Sequence, residues 1–255
     1  MEILRTVSAL RRALDASPGG SIGLVPTMGA LHDGHRALIE TASAECDVVV
    51  ASVFVNPTQF GEAADLVAYP RTLDTDADLA EAAGADLVFA PEPEELYPPG
   101  FATWIEPGGA ALGLEGEHRP GHFRGVATVC VKLFSIVRPT AAYFGRKDAQ
   151  QVAVVKQVVR DLNLPVEIRV VPTVRDADGL ALSSRNARLS PDERAQALAI
   201  HRALLTRDVT HARTVLTAAG IEPEYVEIAD LDGPTLAIAA RIGTTRLIDN
   251  LSLEA

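Results

Sequence analysis

Basic side chains are scarce in this 255-residue chain, where 23 lysines and arginines are outnumbered by 34 aspartates and glutamates, for a net charge of −11. Nucleic-acid backbones and anionic membrane surfaces bind to basic protein surfaces. The charge balance therefore argues against either of them as the main partner. An anionic substrate would need a local basic pocket.

Cysteines and long apolar runs are scarce as well. The two cysteines, Cys46 and Cys130, each lie in an apolar stretch, which predicts buried thiols rather than a disulfide or a catalytic pair. No run approaches the roughly 18 apolar residues of a membrane span, and the N-terminal stretch MEILRTVSALRRALD has helical periodicity and mixed charge instead of an apolar signal core. We therefore expect a soluble, cytoplasmic protein that folds without disulfides or a structural metal.

Short apolar runs rich in β-branched residues alternate with longer amphipathic stretches, which is typical of parallel strands buried between helices. The predicted strands are Ile22–Pro26, Val48–Phe54, Asp86–Ala90, Ala142–Phe144 and Val166–Val171. The predicted helices are about His35–Ala44, Asp74–Ala83, Gly125–Val137 and Asp148–Leu162. This alternation predicts an α/β fold with a doubly wound parallel sheet that binds ligands at the carboxyl ends of its strands.

The pattern changes after Pro172, which suggests a main domain over residues 1–173 and a smaller α+β domain over residues 174–255. A loop and a helix are followed by three strand-like runs near Tyr225, Leu236 and Leu247. The sequence Ser-Pro-Asp-Glu from Ser190 marks the start of the helix, with a serine cap, a proline at the first helical position and a glutamate at the third. The proline-rich run PEPEELYPP in the first domain predicts a loop.

The first predicted strand runs into PTMGALHDGH, residues 26–35, and His35 falls where the next helix should begin. Backbone N–H groups and the dipole of a helix N-terminus favour a phosphate, and the imidazoles of His32 and His35 donate further hydrogen bonds. A zinc pair is the alternative, although no cysteine or carboxylate nearby completes a plausible set of ligands.

The motif His-x-Gly-His after a strand resembles the phosphate motif of the nucleotidylyltransferase superfamily. The whole of PTMGALHDGH is more similar to the pantothenate synthetase family, and further segments match that family in order: SVFVNPTQF, YPRT, LEGEHRPGHFRGV, FGRKDAQQ, DGLALSSRN and TRLIDN. The resemblance spans nearly the whole chain. It implies a Rossmann-like fold of the nucleotidylyltransferase type that binds ATP and pantoate, a C-terminal lid, and a homodimer.

The resemblance also implies an activity: ATP-dependent joining of pantoate to β-alanine through a pantoyl adenylate, with Mg²⁺ accompanying ATP and no organic prosthetic group. Pantoate would be held by Gln59 and Gln151, with Met28 beside it. An amide supplies both a donor and an acceptor, so two of them can bind a carboxylate and hydroxyls without adding charge that repels ATP. The alternative is that both glutamines are surface amides at the ends of elements.

ATP-binding residues also follow from the resemblance. Lys147, as a mobile point charge, would contact phosphates, and Asp148 would bind the ribose. A second phosphate clamp would come from Ser183, Ser184 and Arg185, whose guanidinium can bind phosphate oxygens in pairs. The remaining ATP contacts carried over are Pro26, Thr27, Met28, His32, His35, Gly145, Val174 and Leu182. The catalytic residues would be His32, His35, Lys147 and Arg185. As an alternative, SSRN has the composition of a capped turn.

The metal contact implied by the resemblance is Asp76, in the acidic run DTDAD. An aspartate at a helix N-terminus is also what the helix dipole favours, so a purely structural role stays open. Arg119 and His122 are candidates for a basic loop over the site. No residue suggests itself as the base that deprotonates β-alanine.

The chain departs from the family in two places. Arg146 stands where members usually have an acid, which predicts either altered ATP affinity or a side chain that faces solvent, and the segment from about Leu205 to Ala212 is shortened. Two other functions fit the motifs less fully. One is an adenylyltransferase for a phosphorylated acceptor, which would need a basic pocket for that phosphate; the other is a non-catalytic nucleotide-binding module.

Overall fold

The computed structural model describes residues 1–17, 19–61 and 63–254. Its strands are β1 (Glu2–Leu4), β2 (Ile22–Thr27), β3 (Val48–Val53), β4 (Leu87–Phe89), β5 (Ala141–Gly145), β6 (Glu167–Val171), β7 (Pro223–Asp230), β8 (Pro234–Ile242) and β9 (Thr245–Ser252). Its helices are α1 (Val7–Ala16), α2 (Asp33–Glu45), α3 (Ala63–Val67), α4 (Leu73–Ala82), α5 (Pro93–Leu96), α6 (Leu114–His118), α7 (His122–Val137), α8 (Ala149–Asp161), α9 (Pro191–Leu205) and α10 (Val209–Ala218).

The chain divides into two compact units. The first unit comprises Met1–Phe144 and Val154–Val171, and the second comprises Gly145–Ala153 and the chain from Pro172 onward. The segment that follows β5, which contains Lys147 and Gln151, thus groups with the C-terminal residues.

The first unit is built on a six-stranded parallel sheet in the order β1-β4-β3-β2-β5-β6. The central strands are apolar because both faces of the sheet are covered by helices, and residues such as Val25, Val50 and Val88 are fully buried. The strand order reverses between β2 and β5, because β3 and β4 lie on one side of β2 whereas β5 and β6 lie on the other. In open α/β sheets, ligands bind at the carboxyl ends of strands at such a point.

The five predicted strands and four predicted helices of this region are present. The largest difference is the start of α7, which lies at His122 rather than at Gly125. Helix α2 begins at Asp33 because His32 caps it, so His35 lies within its first turn.

Two predictions for the first unit are wrong. The N-terminal stretch is not helical throughout: Glu2–Leu4 form strand β1, which pairs in parallel with β4, and helix α1 starts only after Thr6, whose side chain accepts a hydrogen bond from the amide of Ala9. The run PEPEELYPP is not wholly a loop, because Pro93 begins the single helical turn α5. Proline at the first position of a helix lacks an N–H that would be unpaired there anyway.

The second unit contains a three-stranded antiparallel sheet in the order β7-β8-β9. Helices α9 and α10 cover it with an apolar core that includes Ile200, Leu204 and Leu216, each at most 2% exposed. The predicted strands and the capping box at Ser190 and Glu193 are confirmed. Helix α10 was not predicted; the Asp208 carboxylate caps it by accepting the amide of His211 at 2.8 Å. The predicted fold class is confirmed.

Among the described residues, no helix is both long and apolar enough to cross a lipid bilayer.

Candidate active site

A tight turn follows strand β2 and leads into helix α2. Gly29 has φ +82° and Ala30 has φ +51°, so two successive residues adopt left-handed backbone conformations. Glycine tolerates this conformation, whereas an alanine there costs about 1–2 kcal/mol. The turn must therefore be held by contacts from elsewhere in the first unit.

The histidines of the turn form a reciprocal cap on helix α2. The backbone amide of Gly34 donates to Nδ1 of His32 at 3.1 Å, and the amide of His32 donates to Nδ1 of His35 at 3.3 Å. The two ring centroids are 4.1 Å apart. Because both Nδ1 atoms accept hydrogen bonds, each neutral imidazole carries its proton on Nε2. Two N–H donors with a fixed tautomer thus stand at a helix N-terminus, which is an arrangement that binds phosphate oxygens.

Asp76, from the first turn of helix α4, reaches the same turn. Its carboxylate accepts the amides of Ala30 at 3.0 Å and Leu31 at 2.7 Å, and the side chain is 2% exposed. The hydroxyl of Thr72 lies 3.2 and 3.3 Å from the two carboxylate oxygens. Both oxygens are therefore engaged by donors from the protein.

Asn56 and Gln59 follow strand β3, the neighbour of β2 in the sheet. Asn56 is 1% exposed and Gln59 is 8% exposed, so Gln59 is not a surface amide. The Asn56 amide group donates to Oε1 of Gln59 at 2.9 Å and to the carbonyl of Gly125 at 3.2 Å. This fixes which way the Gln59 amide is turned, because its oxygen faces Asn56 and its NH₂ group is the end left to donate to a ligand.

Helix α7 supports this pair by approaching it closely. A Cβ at Gly125 would lie 2.4 Å from the carbonyl oxygen of Thr58 and 2.7 Å from the amide of Gln59. His122, one turn earlier on the same helix, lies with Nδ1 2.9 Å from the Gln59 carbonyl, and Arg119 approaches that carbonyl at 3.4 Å. The predicted candidates Arg119 and His122 thus contact the backbone of Gln59, and His122 is 7% exposed.

An aromatic cluster lies behind Asn56. The Tyr97 hydroxyl donates to Oδ1 of Asn56 at 2.9 Å, and its ring is 5.1 Å from that of Phe101 and 6.3 Å from that of Trp104. The Lys132 ammonium lies 4.8 Å from the Phe101 ring centroid, and burial lowers the pKa of Lys132. This cluster gives Asn56 a rigid support.

In the second unit, Lys147 and Asp148 lie in a short 3-10 turn after β5. The Lys147 ammonium is 3.8 Å from the Asp148 carboxylate. Asn250, on strand β9, donates to the carbonyls of Arg146 at 3.0 Å and Lys147 at 2.8 Å. The TRLIDN segment therefore holds the backbone that carries Lys147.

Arg146 is half-buried and makes its contacts within the second unit. Its guanidinium donates to the carbonyl of Leu231 at 2.5 Å and to the hydroxyl of Thr235 at 2.8 Å. The side chain thus ties the turn to the β7-β8 hairpin within the second unit. Of the two effects predicted for this residue, a side chain that simply faces solvent is wrong, and an altered ATP affinity stays a prediction.

Strand β9 also borders the predicted second phosphate clamp. The Ser183 hydroxyl accepts the amide of Arg185 at 3.3 Å at the start of the 3-10 turn Ser184–Arg188, which packs beside β9. The capped turn suggested by the composition is therefore present, and a capped turn also presents the side chains of Ser184 and Arg185 at fixed positions. Just before it, the amide of Leu182 donates to the carbonyl of Val174 at 3.0 Å, so these two predicted ATP contacts are paired.

A buried ion pair anchors this region to β9. Arg175 donates to both carboxylate oxygens of Asp249, at 2.6 and 3.0 Å, and Asp249 is 5% exposed. A paired Arg–carboxylate contact of this kind is geometrically specific as well as strong. Neither residue was singled out from the sequence.

The remaining predicted residues are placed as follows. Pro26 and Met28 are half-buried at the end of β2, and Gly145 and Gln151 are half-buried before and at the start of α8. The Thr27 hydroxyl donates to the carbonyl of Ser52 at 2.6 Å and accepts the amide of Gly29 at 3.1 Å, so it serves the turn. These ATP and pantoate contacts stay predictions.

The metal prediction meets a difficulty in the coordination of Asp76. A carboxylate that already accepts two amide hydrogens and is 2% exposed is a poor fit for Mg²⁺, which keeps a shell of water and oxygen ligands. Over the described ranges, no group of three or more His, Cys, Asp or Glu side chains is arranged to hold a metal ion. The zinc alternative for the His32–His35 pair gains no support from these contacts, because both Nδ1 atoms accept backbone amides.

Comparison with known proteins places this geometry in a family. A model of the family described as pantoate-beta-alanine ligase matches residues 2–252. Proteins named pantothenate synthetase from Chloroflexus aurantiacus and Moorella thermoacetica are 51% and 50% identical, with 100% of this chain and 99% of each relative covered.

Solved structures agree. Pantothenate synthetase from Thermus thermophilus superposes with a TM-score of 0.94 at 45% identity over 100% of both chains. Pantoate-beta-alanine ligase from Francisella tularensis, complexed with beta-gamma ATP and beta-alanine, superposes with a TM-score of 0.90 at 37% identity, covering 99% of this chain and 97% of that one. The family match covers nearly the whole chain and agrees with the histidine-capped turn and the oriented amide of Gln59. This chain therefore belongs to the pantoate–β-alanine ligase family.

Proposed function

We propose that this chain condenses pantoate with β-alanine at the expense of ATP, giving pantothenate, AMP and pyrophosphate through a pantoyl adenylate. The observation that carries the proposal is the Gln59 amide, buried and turned by Asn56 so that its NH₂ group is the end left for a ligand. A neutral donor suits the hydroxyls and carboxylate of a small hydroxy acid. A phosphorylated acceptor would call for a cation at that place.

The first step needs no general base. The carboxylate of pantoate is ionised at neutral pH, since ordinary carboxylic acids have pKa values near 4. One carboxylate oxygen attacks the α-phosphorus of ATP, the new O–P bond forms, and the bond from the α-phosphorus to the bridging oxygen breaks as pyrophosphate leaves. Catalysis is then positioning and stabilisation of charge on phosphate oxygens.

The resemblance to the family assigns that stabilisation to four residues, each described within its own unit. In the first unit, His32 and His35 present Nε2–H donors with a fixed tautomer at the N-terminus of α2. In the second unit, Lys147 and Arg185 supply positive charge, Lys147 on a backbone held by Asn250. The resemblance assigns Gln59, Gln151 and Met28 to pantoate and Asp148 to the ribose.

In the second step, the β-alanine amine attacks the acyl carbon of the adenylate. A C–N bond forms, the C–O bond of the mixed anhydride breaks, and AMP leaves with that electron pair. The amine must lose its proton, and the contacts assign no side chain to that task; solvent or a phosphate oxygen accepts it. The relative from Francisella tularensis was solved in complex with beta-alanine, which supports this choice of acceptor.

Magnesium, a homodimer and a cytoplasmic location complete the proposal. Mg²⁺ enters with ATP and neutralises phosphate charge when bound. The homodimer and the location follow from the resemblance to the family.

The test is pyrophosphate release from ATP and Mg²⁺, first with pantoate alone and then with β-alanine added. We expect a pantoate-dependent burst that becomes steady turnover only with β-alanine. Gln59→Leu, which keeps the volume and loses the amide, should raise the pantoate KM at least tenfold while the ATP KM changes little. Folded protein that binds ATP and releases no pyrophosphate with pantoate would overturn the proposal.

A further inference from the structure

The segment YPRTLDTDAD, residues 69–78, contacts the Gly29–Leu31 turn that precedes His32. The Tyr69 hydroxyl lies 3.5 Å from the carbonyl of Gly29, and the Thr72 hydroxyl contacts both oxygens of Asp76. The Asp76 oxygens in turn accept the amides of Ala30 and Leu31. Two side chains from one short stretch of sequence, Tyr69 and Asp76, therefore contact the turn, and Thr72 supports Asp76.

The backbone conformation of this turn is unfavourable unless other contacts stabilise it. Gly29 and Ala30 both have positive φ, and a Cβ on Gly29 would lie 3.0 Å from a carboxylate oxygen of Asp76. The backbone amides of Ala30 and Leu31 point the same way, towards the two oxygens of one buried carboxylate. An anion that accepts successive amides stabilises a backbone conformation that is otherwise unfavourable.

The turn also determines where the two imidazoles lie. His32 follows Leu31 directly, and its own amide is the donor to Nδ1 of His35. A rotation of the peptide at Ala30 or Leu31 would therefore move the His32 amide and release the Nδ1 contact that fixes the tautomer of His35.

We infer that Asp76 is a positioning residue, which holds the Gly29–Leu31 turn and through it the Nε2–H donors of His32 and His35, and that it is not a magnesium ligand. The inference rests on the proposed function for its link to adenylate formation. Its geometric part, the dependence of the imidazole tautomers on the carboxylate, stands independently of any activity.

The test variant is Asp76→Asn, which keeps the shape of the side chain but turns an NH₂ group towards one of the two backbone amides. Asp74→Asn and Asp78→Asn are matched controls, because both residues are exposed acids on the same helix. They remove the same charge near the same helix N-terminus and leave the carboxylate that accepts the amides of Ala30 and Leu31 in place.

Two measurements separate positioning from metal binding. In metal-free, ligand-free protein, ¹⁵N NMR of the imidazole nitrogens should show His32 and His35 as Nε2–H tautomers in the wild type and both controls, and mixed tautomers in Asp76→Asn. In pyrophosphate release, Asp76→Asn should lower kcat about tenfold to a hundredfold, with the Mg²⁺ concentration for half-maximal rate unchanged within twofold.

Opposite results overturn the inference. If Asp76→Asn raises the half-maximal Mg²⁺ concentration tenfold or more, and saturating Mg²⁺ restores the rate, then Asp76 binds the metal. If its imidazole spectrum matches that of the wild type, the carboxylate does not position the histidines. An inactive wild type would overturn the proposed function instead, and the NMR comparison would still decide the geometric part.

If Asp76→Asn does not fold, Thr72→Val provides the same test with a smaller perturbation. It removes only the hydroxyl that contacts both carboxylate oxygens. We expect a smaller change of the same kind: partial tautomer mixing and a twofold to tenfold lower kcat at unchanged Mg²⁺ dependence. Wild-type spectra and rates in Thr72→Val would contradict the inference.

Discussion

The close approach of helix α7 to the Asn56–Gln59 segment makes Gly125→Ala an informative substitution. An added methyl carbon would lie 2.4 Å from the carbonyl oxygen of Thr58, and its other near neighbours are also backbone atoms. Ordinary contacts begin near 3.4 Å, so helix α7 and the Asn56–Gln59 segment must separate by about 1 Å. A displacement of that order can cost a hundredfold in rate.

The expected change in stability is a difference of two effects. Alanine stabilises a helix interior by up to about 1 kcal/mol relative to glycine. Overpacking against fixed backbone costs about 1–3 kcal/mol. We expect a net loss of about 0–3 kcal/mol in the free energy of unfolding, so Gly125→Ala should still fold.

The functional effect should be larger than the effect on stability. Moving α7 away stretches the contact of the Asn56 amide with the Gly125 carbonyl, 3.2 Å long in the structure, and loosens the orientation of the Gln59 amide. The pantoate KM for adenylate formation should rise at least tenfold. The control is Gly61→Ala, because a Cβ there meets nothing within 4 Å. A Gly125→Ala protein that is more stable than the wild type and keeps its pantoate KM would refute the reasoning.

Three further predictions address other parts of the molecule. His35→Ala and Lys147→Ala should each slow adenylate formation about a hundredfold, as loss of a preorganised donor does, and a rate within twofold of normal would remove that residue from the mechanism. Asn250→Asp turns a carboxylate towards the two carbonyls that the amide now serves, so the ATP KM should rise about tenfold while the pantoate KM stays constant; equal changes in both would contradict this. Burial raises the pKa of Cys130 to about 12, so its contribution to stability is full below about pH 8.5 and is lost as the pH rises through 12. Wild type should lose about 2 kcal/mol more than Cys130→Ala between pH 8 and 10 in denaturant titrations, and parallel losses would contradict this.

Local sequence patterns predicted much of the fold. The apolar runs of β2 and β3, the capping box at Ser190 and the three C-terminal strands depend on residues close together in the chain, so spacing alone reveals them. Strand β1 was missed because three residues of strand ahead of an amphipathic helix share its periodicity. Only pairing with β4, more than 80 positions away, makes them a strand.

The residues that hold the site in place were harder to predict for the same reason. Asn56 acts on Gly125, Asp76 on Ala30, and Asn250 on Lys147, each across a long stretch of sequence. Asn56 and Asn250 lie within the segments VNPTQF and TRLIDN that carry the family resemblance, so a signal was present, but the spacing gave no role. A side-chain amide shows its task only when both of its partners are known.

Arg146 illustrates how little a motif reveals about the direction of a long side chain. From the sequence, a cation beside Lys147 suggests an effect on ATP. In the fold, its guanidinium contacts Leu231 and Thr235 of the β7-β8 hairpin. Its guanidinium therefore holds the Arg146–Asp148 turn against this hairpin. Tertiary contacts set the direction of a side chain of this length, and sequence spacing does not reveal them.

The aromatic cluster behind Asn56 has a practical consequence. The chain contains one tryptophan, and Trp104 stacks against Tyr97 while the Arg124 guanidinium lies 4.4 Å above its ring. Tyr97 is hydrogen-bonded to Asn56, and Asn56 to Gln59. The indole is therefore connected by one ring contact and two hydrogen bonds to Gln59, the residue proposed to bind pantoate. The fluorescence of that single tryptophan should therefore report the binding of pantoate at Gln59 without an added label, and it can be followed by stopped-flow fluorescence.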